Sequence, residues 1–192
     1  MQRCPWAEGF ELYRQYHDCE WGVPLRDERA LFELLTLEGA QAGLSWATIL
    51  RKREGYRRAF DHFDVERIAA YDEHRLAALA ADAGIVRNRA KIASTVSNAR
   101  VVLALQAAGR SLGELVWGFV DGVPLQNHWQ TLDEVPARNE RSDAMSKALK
   151  KAGFSFVGST TCYAFMQAAG LVNDHLITCP RHREVAALGG AG

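Results

Sequence analysis

The chain has 192 residues, of which 48% are hydrophobic and 24% are charged, and its 23 basic side chains balance its 23 acidic ones. This composition is typical of a globular protein and excludes a disordered, collagen-like or coiled-coil chain. The chain lacks the overall positive charge that by itself would indicate a nucleic-acid or anionic-membrane partner, so any such partner has to be bound by a local patch.

The sequence has no apolar run of the roughly 18 to 20 residues that span a bilayer, and its N-terminus has no features of a secretion signal. We therefore expect a cytosolic (cytoplasmic) protein without a membrane partner. The four cysteines are too few for a disulfide scaffold, so in a reducing compartment they would be thiols or metal ligands. We interpret Cys19 and Cys162 as small core or surface residues.

The periodic signals along the chain are helical. In chain order, they predict helices after the capping Asp27, over residues 49–60, 75–83, 92–105 and 142–151, and between Gly158 and Gly170. Strand periodicity is limited to a brief alternation at residues 154–157, which indicates a short extended connector. The predicted fold class is all-α, with about eight helices in one compact unit over residues 1–180. Residues 181–192 are small, polar or glycine-rich and are expected to fray as a flexible tail.

Two cysteines and two histidines lie in widely separated parts of the chain. They are Cys4, His17, His175 and Cys179. This is a complete tetrahedral ligand set for zinc, and the His-x3-Cys spacing of the second pair lets both side chains face one side of a helical turn or tight loop. A site with four protein ligands is structural, and this one would tie two distant segments together. The spacing fits equally well a coincidence of buried thiols and solvated imidazoles.

Aromatic residues are dense in the first 46 positions. They are Trp6, Tyr13, Tyr16, Trp21 and Trp46. This density suits a flat-sided pocket that stacks an aromatic ligand, especially a cationic one, for which Glu38 would supply the countercharge. Each aromatic residue alone is better explained by core packing, and a lone Glu is usually solvated. The combination favours the pocket.

A short turn separates two of the predicted helices within residues 75–105. Gly84 closes the first helix, and the N-terminus of the second presents free backbone N–H groups. Together with Arg87, Arg89 and Lys91, these groups can hold a DNA phosphate. The alternative is an ordinary αα-hairpin with a charged surface.

Long strings spread over almost the whole chain carry a specific resemblance. They are RCPW, YHDCEWGVP, LFELLTLEGAQAGLSW, DAGIVRNRAKI, SKALKKAGFSFVG and TCYAFMQAAGLVNDH. In these strings the chain resembles the Tag-type 3-methyladenine DNA glycosylases of the helix-hairpin-helix superfamily. The resemblance implies a helix-hairpin-helix glycosylase fold with a zinc staple that joins the N- and C-terminal segments. It also implies a base-excision repair enzyme that hydrolyses the N-glycosidic bond of 3-methyladenine in alkylated double-stranded DNA and releases the free base.

The resemblance implies a role for each candidate residue. The ligands of one structural zinc ion would be Cys4, His17, His175 and Cys179. The base would be contacted by the catalytic pair Glu38 and Tyr16 and by Trp46, in a pocket lined by Trp6, Tyr13 and Trp21. The family's hairpin maps to residues 83–91, with Gly84 and Ala90 at the spacing of the superfamily's glycine and alanine. Val86 stands where many members carry a second glycine, among the residues that we expect to bind DNA.

Extraction of a nucleotide from the base stack needs a side chain that fills the gap. Gly43 and Leu44, next to Gln41, are our candidates for DNA insertion, because a flexible glycine lies beside an apolar side chain. The alternative places Leu44 in the core.

Residues 92–113 contain neither Asp nor Glu, although many helix-hairpin-helix glycosylases resemble one another in using an Asp at this place. An adenine alkylated at N3 is already cationic and leaves as a neutral base, so the lesion itself supplies most of the reactivity. The protein would flip the nucleotide out of the stack and hold the base by hydrogen bonds to Glu38 and Tyr16. An undamaged base leaves as an anion, which predicts a narrow substrate range. With no Lys just after the hairpin glycine, we expect a monofunctional and monomeric enzyme.

Two other classes of protein remain open. A zinc-stapled nucleic-acid binder without chemistry would not need a ring-sized aromatic enclosure with a buried acid. In an enzyme or carrier for a small cationic heteroaromatic, the hairpin would be incidental. Release of free base from methylated DNA separates the glycosylase from both.

Overall fold

The computed structural model describes residues 2–189, which contain ten α-helices and one small sheet. The helices are α1 (Glu11–Cys19), α2 (Glu28–Gln41), α3 (Trp46–Ala59), α4 (Val65–Ala69), α5 (Glu73–Ala81), α6 (Arg89–Ala107), α7 (Leu112–Trp117), α8 (Glu140–Ala152), α9 (Ser159–Ala168) and α10 (Pro180–Gly189). Short 3-10 turns occupy Pro5–Glu8, Asp61–Phe63, Gly118–Val120 and Leu132–Glu134. Strands β1 (Leu125–Gln126) and β2 (Val172–Asn173) pair in parallel, with Leu125 opposite Val172. The prediction of a mostly helical fold is confirmed.

Local hydrogen bonds explain where the helices begin. The side chains of Asp27, Ser45 and Asn88 each accept a backbone N–H from the first turn of the helix that follows, which satisfies a donor that has no partner within the helix. Because Asn88 is the cap, α6 begins at Arg89, slightly before the predicted start. Gly153 ends α8 in the left-handed conformation, with φ +104°.

Helix α2 lies at the centre of the fold, packed against α3, α6, α7 and α9. Its buried residues cover nearly every side of the helix: Leu31, Phe32, Leu35, Thr36, Leu37, Glu38, Gly39 and Ala40. A helix enclosed on all sides removes even its polar side chains from water. This enclosure is the reason why an acidic residue of α2 is buried.

A seven-residue segment, 82–88, joins α5 to α6, and we call it the hairpin turn. It packs closely on α3, where the carbonyl oxygen of Gly84 approaches Gly55. The hydroxyl of Tyr56 accepts the Val86 N–H at 3.2 Å, and the ammonium of Lys52 donates to the Ala83 carbonyl at 2.6 Å. Three contacts therefore fix the hairpin turn on α3.

The structure differs from the sequence prediction for residues 181–192. Helix α10 extends to Gly189 and buries His182 and Val185, while residues 190–192 lie outside the described range. Pro180 is pre-organised for a first helical position. The carbonyl of His182 accepts the side-chain amide of Asn173 at 2.9 Å, which attaches the helix to β2. The predicted connector at residues 154–157 is non-helical and not a strand, and none of the described helices is long and apolar enough to cross a membrane.

Substitution of Gly55 by Ala should weaken the attachment of the hairpin turn. A Cβ at this position would lie 2.2 Å from the Gly84 carbonyl oxygen, so α3 and the hairpin turn have to separate, at a cost of about 1–3 kcal/mol in the free energy of unfolding. Urea denaturation measures this loss. The control is Gly118→Ala, where a Cβ meets nothing within 4 Å; equal stability of the two variants would contradict the close contact.

Candidate active site

A cavity of about 260 Å³ opens beside the C-terminal half of α2. It is lined by Trp6, Tyr13, Tyr16, Trp21, Glu38, Gln41, Trp46, Leu132, Val135, Ala164, Gln167 and Asp174. All six residues that the sequence analysis assigned to a base pocket are among them, together with Gln41. The volume is just below the range of drug-sized ligand pockets, so the cavity suits a single small heterocycle.

Aromatic rings in edge-to-face and tilted contact form the walls of the cavity. The ring of Trp6 meets that of Tyr13 at 5.5 Å and that of Trp21 at 5.0 Å between centroids, both edge-on. Tyr16 and Trp46 meet at 5.5 Å in a tilted arrangement. Such pairs stabilise one another beyond the area that they bury, so the rings form a rigid enclosure before any ligand enters.

Glu38 is the acidic group of this cavity. It lies within α2, and only 5% of its surface is exposed, unlike a lone Glu in solvent. Its Oε2 atom has no hydrogen-bond partner among residues 2–189, and neither does the nearby indole N–H of Trp46. Burial raises the pKa of Glu38 to about 8. A buried acceptor without a donor is costly, and such groups are concentrated at sites that bind ligands.

Tyr16 places a hydroxyl group in the same enclosure. The residue comes from α1 and is buried. Burial, and secondarily the charge of Glu38, raise the pKa of the Tyr16 hydroxyl well above its usual value. The hydroxyl therefore keeps its proton and offers a neutral hydrogen-bonding group beside the carboxylate.

The two Cys and two His residues of the sequence analysis come together next to this cavity. All four are buried, and their ligand atoms lie within 4.8 Å of one another. The Sγ of Cys179 lies 3.6 Å from His17 Nε2 and 3.9 Å from His175 Nδ1, and the Sγ of Cys4 lies 3.8 Å from His175 Nδ1. The edges of a tetrahedral Cys₂His₂ zinc site are about 3.3–3.8 Å long for ordinary Zn–S and Zn–N bonds. The group can therefore hold a metal ion.

Hydrogen bonds orient both histidines for ligation. The Nδ1 of His17 lies 2.8 Å from the Asp18 carboxylate, which also accepts two donors of Arg3. The Nε2 of His175 lies 2.9 Å from the carbonyl oxygen of Trp21. If each of these nitrogens carries the proton, the other nitrogen faces the thiols with a free lone pair.

The Cys/His cluster and the aromatic cavity share a wall. The ring of Trp6 meets that of His17 at 5.3 Å, and the ring of Trp21 meets that of His175 at 4.6 Å, both edge-on. Movement of either histidine would therefore displace an aromatic wall of the cavity.

In the described part of the chain, the predicted DNA-binding residues of the hairpin turn and α6 divide into residues whose backbone N–H groups are free and residues whose donors bond within this chain. Arg87 and Arg89 are exposed, and within residues 2–189 no acceptor lies within hydrogen-bond distance of their backbone N–H groups. The Val86 N–H, in contrast, is used by Tyr56. The ammonium of Lys91, which the sequence analysis assigned to phosphate, donates instead to two backbone carbonyls of this chain, because the end of α2 lies next to it.

The candidate insertion residues lie just beyond the end of α2. Leu44 is 41% exposed, which excludes the alternative that it belongs to the core. It follows Gly43, which adopts φ +77°. Gln41 borders the cavity, so these residues connect the cavity to the protein surface.

Comparison with known proteins decides the family. The family model described as methyladenine glycosylase matches residues 6–182, which is most of the chain. The chain belongs to the methyladenine glycosylase family.

Individual members of this family are similar to this chain over almost their whole length. DNA-3-methyladenine glycosylase 1 of Escherichia coli (strain K12) is 51% identical over 179 residues, covering 93% of this chain and 96% of that protein. A crystal structure of 3-methyladenine DNA glycosylase I matches with a TM-score of 0.92 at 53% identity, covering 93% of this chain and 98% of that one. A variant of 3-methyladenine DNA glycosylase I in complex with 3-methyladenine matches with a TM-score of 0.90 at 36% identity, covering 94% and 97% of the two chains.

A second carboxylate that lines the cavity, Asp174, was missed in the sequence analysis. It is buried, and its two oxygens accept hydrogen bonds from four side chains at 2.6–2.8 Å. The donors are Asn127, Trp129, Tyr163 and Gln167. Through these hydrogen bonds Asp174 holds three segments of the chain together at the cavity. Its only sequence signal is its position directly before His175.

Replacement of Glu38 by Gln should stabilise the folded protein, and more so at high pH. The carboxyl ionises near 4.5 when it is unburied and at about 8 in the fold, so between these values the native state binds more protons and stability falls as pH rises. Removing the ionisable group abolishes this fall. We expect a gain of about 4 kcal/mol at pH 8 and little at pH 4.5, measured by urea unfolding at both.

The control for this substitution is Glu66→Gln, at an exposed residue. It should change stability by the same small amount at both pH values. A Glu38→Gln gain that does not depend on pH would contradict burial of an ionisable carboxyl group in the free protein.

Proposed function

We propose that this chain hydrolyses the N-glycosidic bond of 3-methyladenine in alkylated double-stranded DNA. The observation that carries the proposal is the buried carboxylate of Glu38, which has no partner among the described residues and lies in an aromatic cavity of base size. Family membership and the relative that binds 3-methyladenine support the same reaction. As a member of this family, the chain is a glycosylase, which is a hydrolase.

Charge complementarity explains the choice of substrate. An N3-methylated adenine nucleotide is a cation, and its ring can stack against the aromatic walls of the cavity, which include Tyr16 and Trp46. A positive charge next to Glu38 favours the ionised carboxylate, so binding would offset the desolvation that disfavours ionisation in the free protein. A neutral adenine offers no such compensation, and its entry would leave the buried carboxyl group without a cationic partner.

The reaction needs little chemistry from the protein. The bond between the sugar C1′ and the base N9 breaks, both electrons go to the base, and the base leaves neutral because it carried a positive charge. A water oxygen bonds to C1′ and releases one proton, which gives an abasic site. The negative charge that Glu38 carries beside the cationic base stabilises positive charge in the cavity. No lysine supplies an amine for a Schiff base in this scheme, so the enzyme is monofunctional.

Access of the base to the cavity requires that the nucleotide leave the duplex. In our proposal the hairpin turn and the start of α6 form the helix-hairpin-helix grip on phosphate, through Gly84, the exposed Arg87 and Arg89, and unpaired backbone N–H groups. Leu44 inserts into the gap that the flipped nucleotide leaves, next to Gln41. A monomer is sufficient for this arrangement, because every element belongs to one chain.

We propose that the Cys/His cluster binds one structural zinc ion. The donor set fits, because two thiols and two oriented imidazole nitrogens converge and no fifth ligand joins them from residues 2–189, which is typical of closed zinc sites. The hydrogen bond with the Cys4 thiol lowers the pKa of Cys179, which favours the thiolate that a metal requires. The bound ion would contribute a cross-link and no reaction chemistry.

The zinc proposal predicts one zinc ion per chain in the purified protein. Cys179→Ser should remove the ion and lower the melting temperature by about 5–15 °C, because the cross-link between distant segments is lost. Metal analysis and thermal unfolding measure the two effects. Cys19→Ser, at an exposed cysteine, is the matched control and should change neither the metal content nor the melting temperature. A wild-type protein that is equally stable with and without metal would contradict the proposal.

The glycosylase proposal predicts release of 3-methyladenine from DNA treated with dimethyl sulfate. Glu38→Gln should slow the release, and weaken binding of the free base, on the order of tenfold to a hundredfold, because a charged hydrogen bond is replaced by a neutral one. Chromatography identifies the released bases, and tryptophan fluorescence follows base binding. Glu66→Gln should match the wild type.

Two results would contradict the proposal. A wild-type protein that releases no 3-methyladenine is not this glycosylase. A Glu38→Gln variant with unchanged base affinity would remove Glu38 from base recognition.

A further inference from the structure

Lys91 makes an unusual pair of contacts for a basic residue beside a candidate phosphate site. Its ammonium donates to the carbonyl oxygen of Ala40 at 2.8 Å and to that of Ala42 at 2.6 Å. Both carbonyls lie at the C-terminal end of α2, where the last carbonyls of a helix have no partner within it. A cation at this end satisfies them and interacts favourably with the helix dipole.

The segment that Lys91 holds is the one that presents Leu44. Residues 41–44, which we call the wedge turn, close with a hydrogen bond from the Leu44 N–H to the Gln41 carbonyl at 2.7 Å. The backbone angles, φ −46° and ψ 117° at Ala42 and φ +77° at Gly43, are those of a type II turn.

The bond from Lys91 acts on the part of the turn that defines its type. Type I and type II turns differ in the orientation of the central peptide, which in the wedge turn contains the Ala42 carbonyl. In the other turn type this carbonyl would point away from the ammonium, which donates to it at 2.6 Å. The hydrogen bond therefore selects the type II conformation.

Lys91 also lies beside the candidate phosphate site at the hairpin turn. It is in the first turn of α6, and its backbone N–H donates to the capping side chain of Asn88 at 3.1 Å. One residue therefore joins the end of the hairpin turn to the wedge turn, although the paired residues are 49 and 51 positions apart in the chain.

We propose that Lys91 is a positioning residue that fixes the wedge turn relative to the hairpin turn, and not a phosphate contact. This inference rests on the proposed function. When the hairpin turn grips the DNA backbone, Leu44 is then already at the distance and orientation at which it enters the base stack. Loss of the ammonium would leave the grip and the base cavity intact but uncouple insertion from them.

The decisive comparison is between Lys91→Met and Arg89→Met. Each substitution removes one positive charge from the first turn of α6, but only Lys91 bonds to the wedge turn. For binding to a duplex, Arg89→Met should reduce the slope of log affinity against log salt by about one, as expected for a lost phosphate contact. Lys91→Met should leave this slope unchanged.

Excision from duplex DNA under single-turnover conditions gives the second readout. We expect Lys91→Met to slow it on the order of tenfold or more, because small misplacements of reacting groups have effects of this size. Leu44→Ala should give the same defect, and 2-aminopurine next to the lesion should show less unstacking in both variants. Lys91→Arg keeps charged donors and should restore most of the rate, while binding of free 3-methyladenine stays at the wild-type level.

Three results would overturn the inference: wild-type excision by Lys91→Met, a salt slope reduced by about one in that variant, or no recovery in Lys91→Arg. If Lys91→Met also loses base binding, Gly43→Ala decides. A Cβ at Gly43 meets nothing within 4 Å, so this change strains only the turn at φ +77° and has to reproduce the selective loss of duplex excision. Failure of the wild type to excise 3-methyladenine would refute the proposed function instead.

Discussion

The C-terminal half of α2 imposes the constraint on which the rest of the molecule depends. Glu38 lies in a helix that is enclosed on nearly every side, so the fold gives up the solvation of this acidic residue, and no donor from residues 2–189 bonds to its Oε2 atom. Such an arrangement persists only if the surrounding packing is strong enough to offset its cost. The aromatic walls and the neighbouring helices meet this condition, and the same helix end then carries the wedge turn. The residues proposed for base recognition and for DNA insertion therefore lie in the last turns of one helix and in the turn that directly follows it.

The walls of the cavity depend in turn on the Cys/His cluster. Trp6 and Trp21 pack edge-on against its two histidines. Asp174, next to His175, accepts hydrogen bonds from four side chains of separate segments. A closed structural metal site and a ligand cavity usually have different tasks. Here the Cys/His cluster, which could hold a metal ion, packs against two of the aromatic rings that line the cavity, so the rigidity of the cluster contributes to that of the cavity.

Local patterns in the sequence were enough to predict six of the ten described helices, α2, α3, α5, α6, α8 and α9, because caps and apolar spacing act within a few residues. The aromatic pocket was also predictable, since its residues are close together in the chain. The role of Lys91 was not, because its carbonyl partners lie about 50 positions away, and a basic residue beside a hairpin suggests phosphate. Asp174 gave no signal beyond its position before His175, because a buried carboxylate is recognisable only from the donors that folding brings to it. Helix α10 likewise depends on burial of His182 and Val185.

The separation of the two segments that enclose the cavity affects when the cavity can form during synthesis. One wall comes from residues 6–21 and the other includes residues 164–174, and the contact between Cys4 and His175 spans 171 positions. The hairpin turn at residues 82–88 and the helices around it leave the ribosome well before the second wall exists. A chain translated only to this point contains the proposed DNA-binding turn but lacks the second wall of the cavity. Because the last contacts to form are those of longest range, closure of the cavity should be among the slowest steps of maturation.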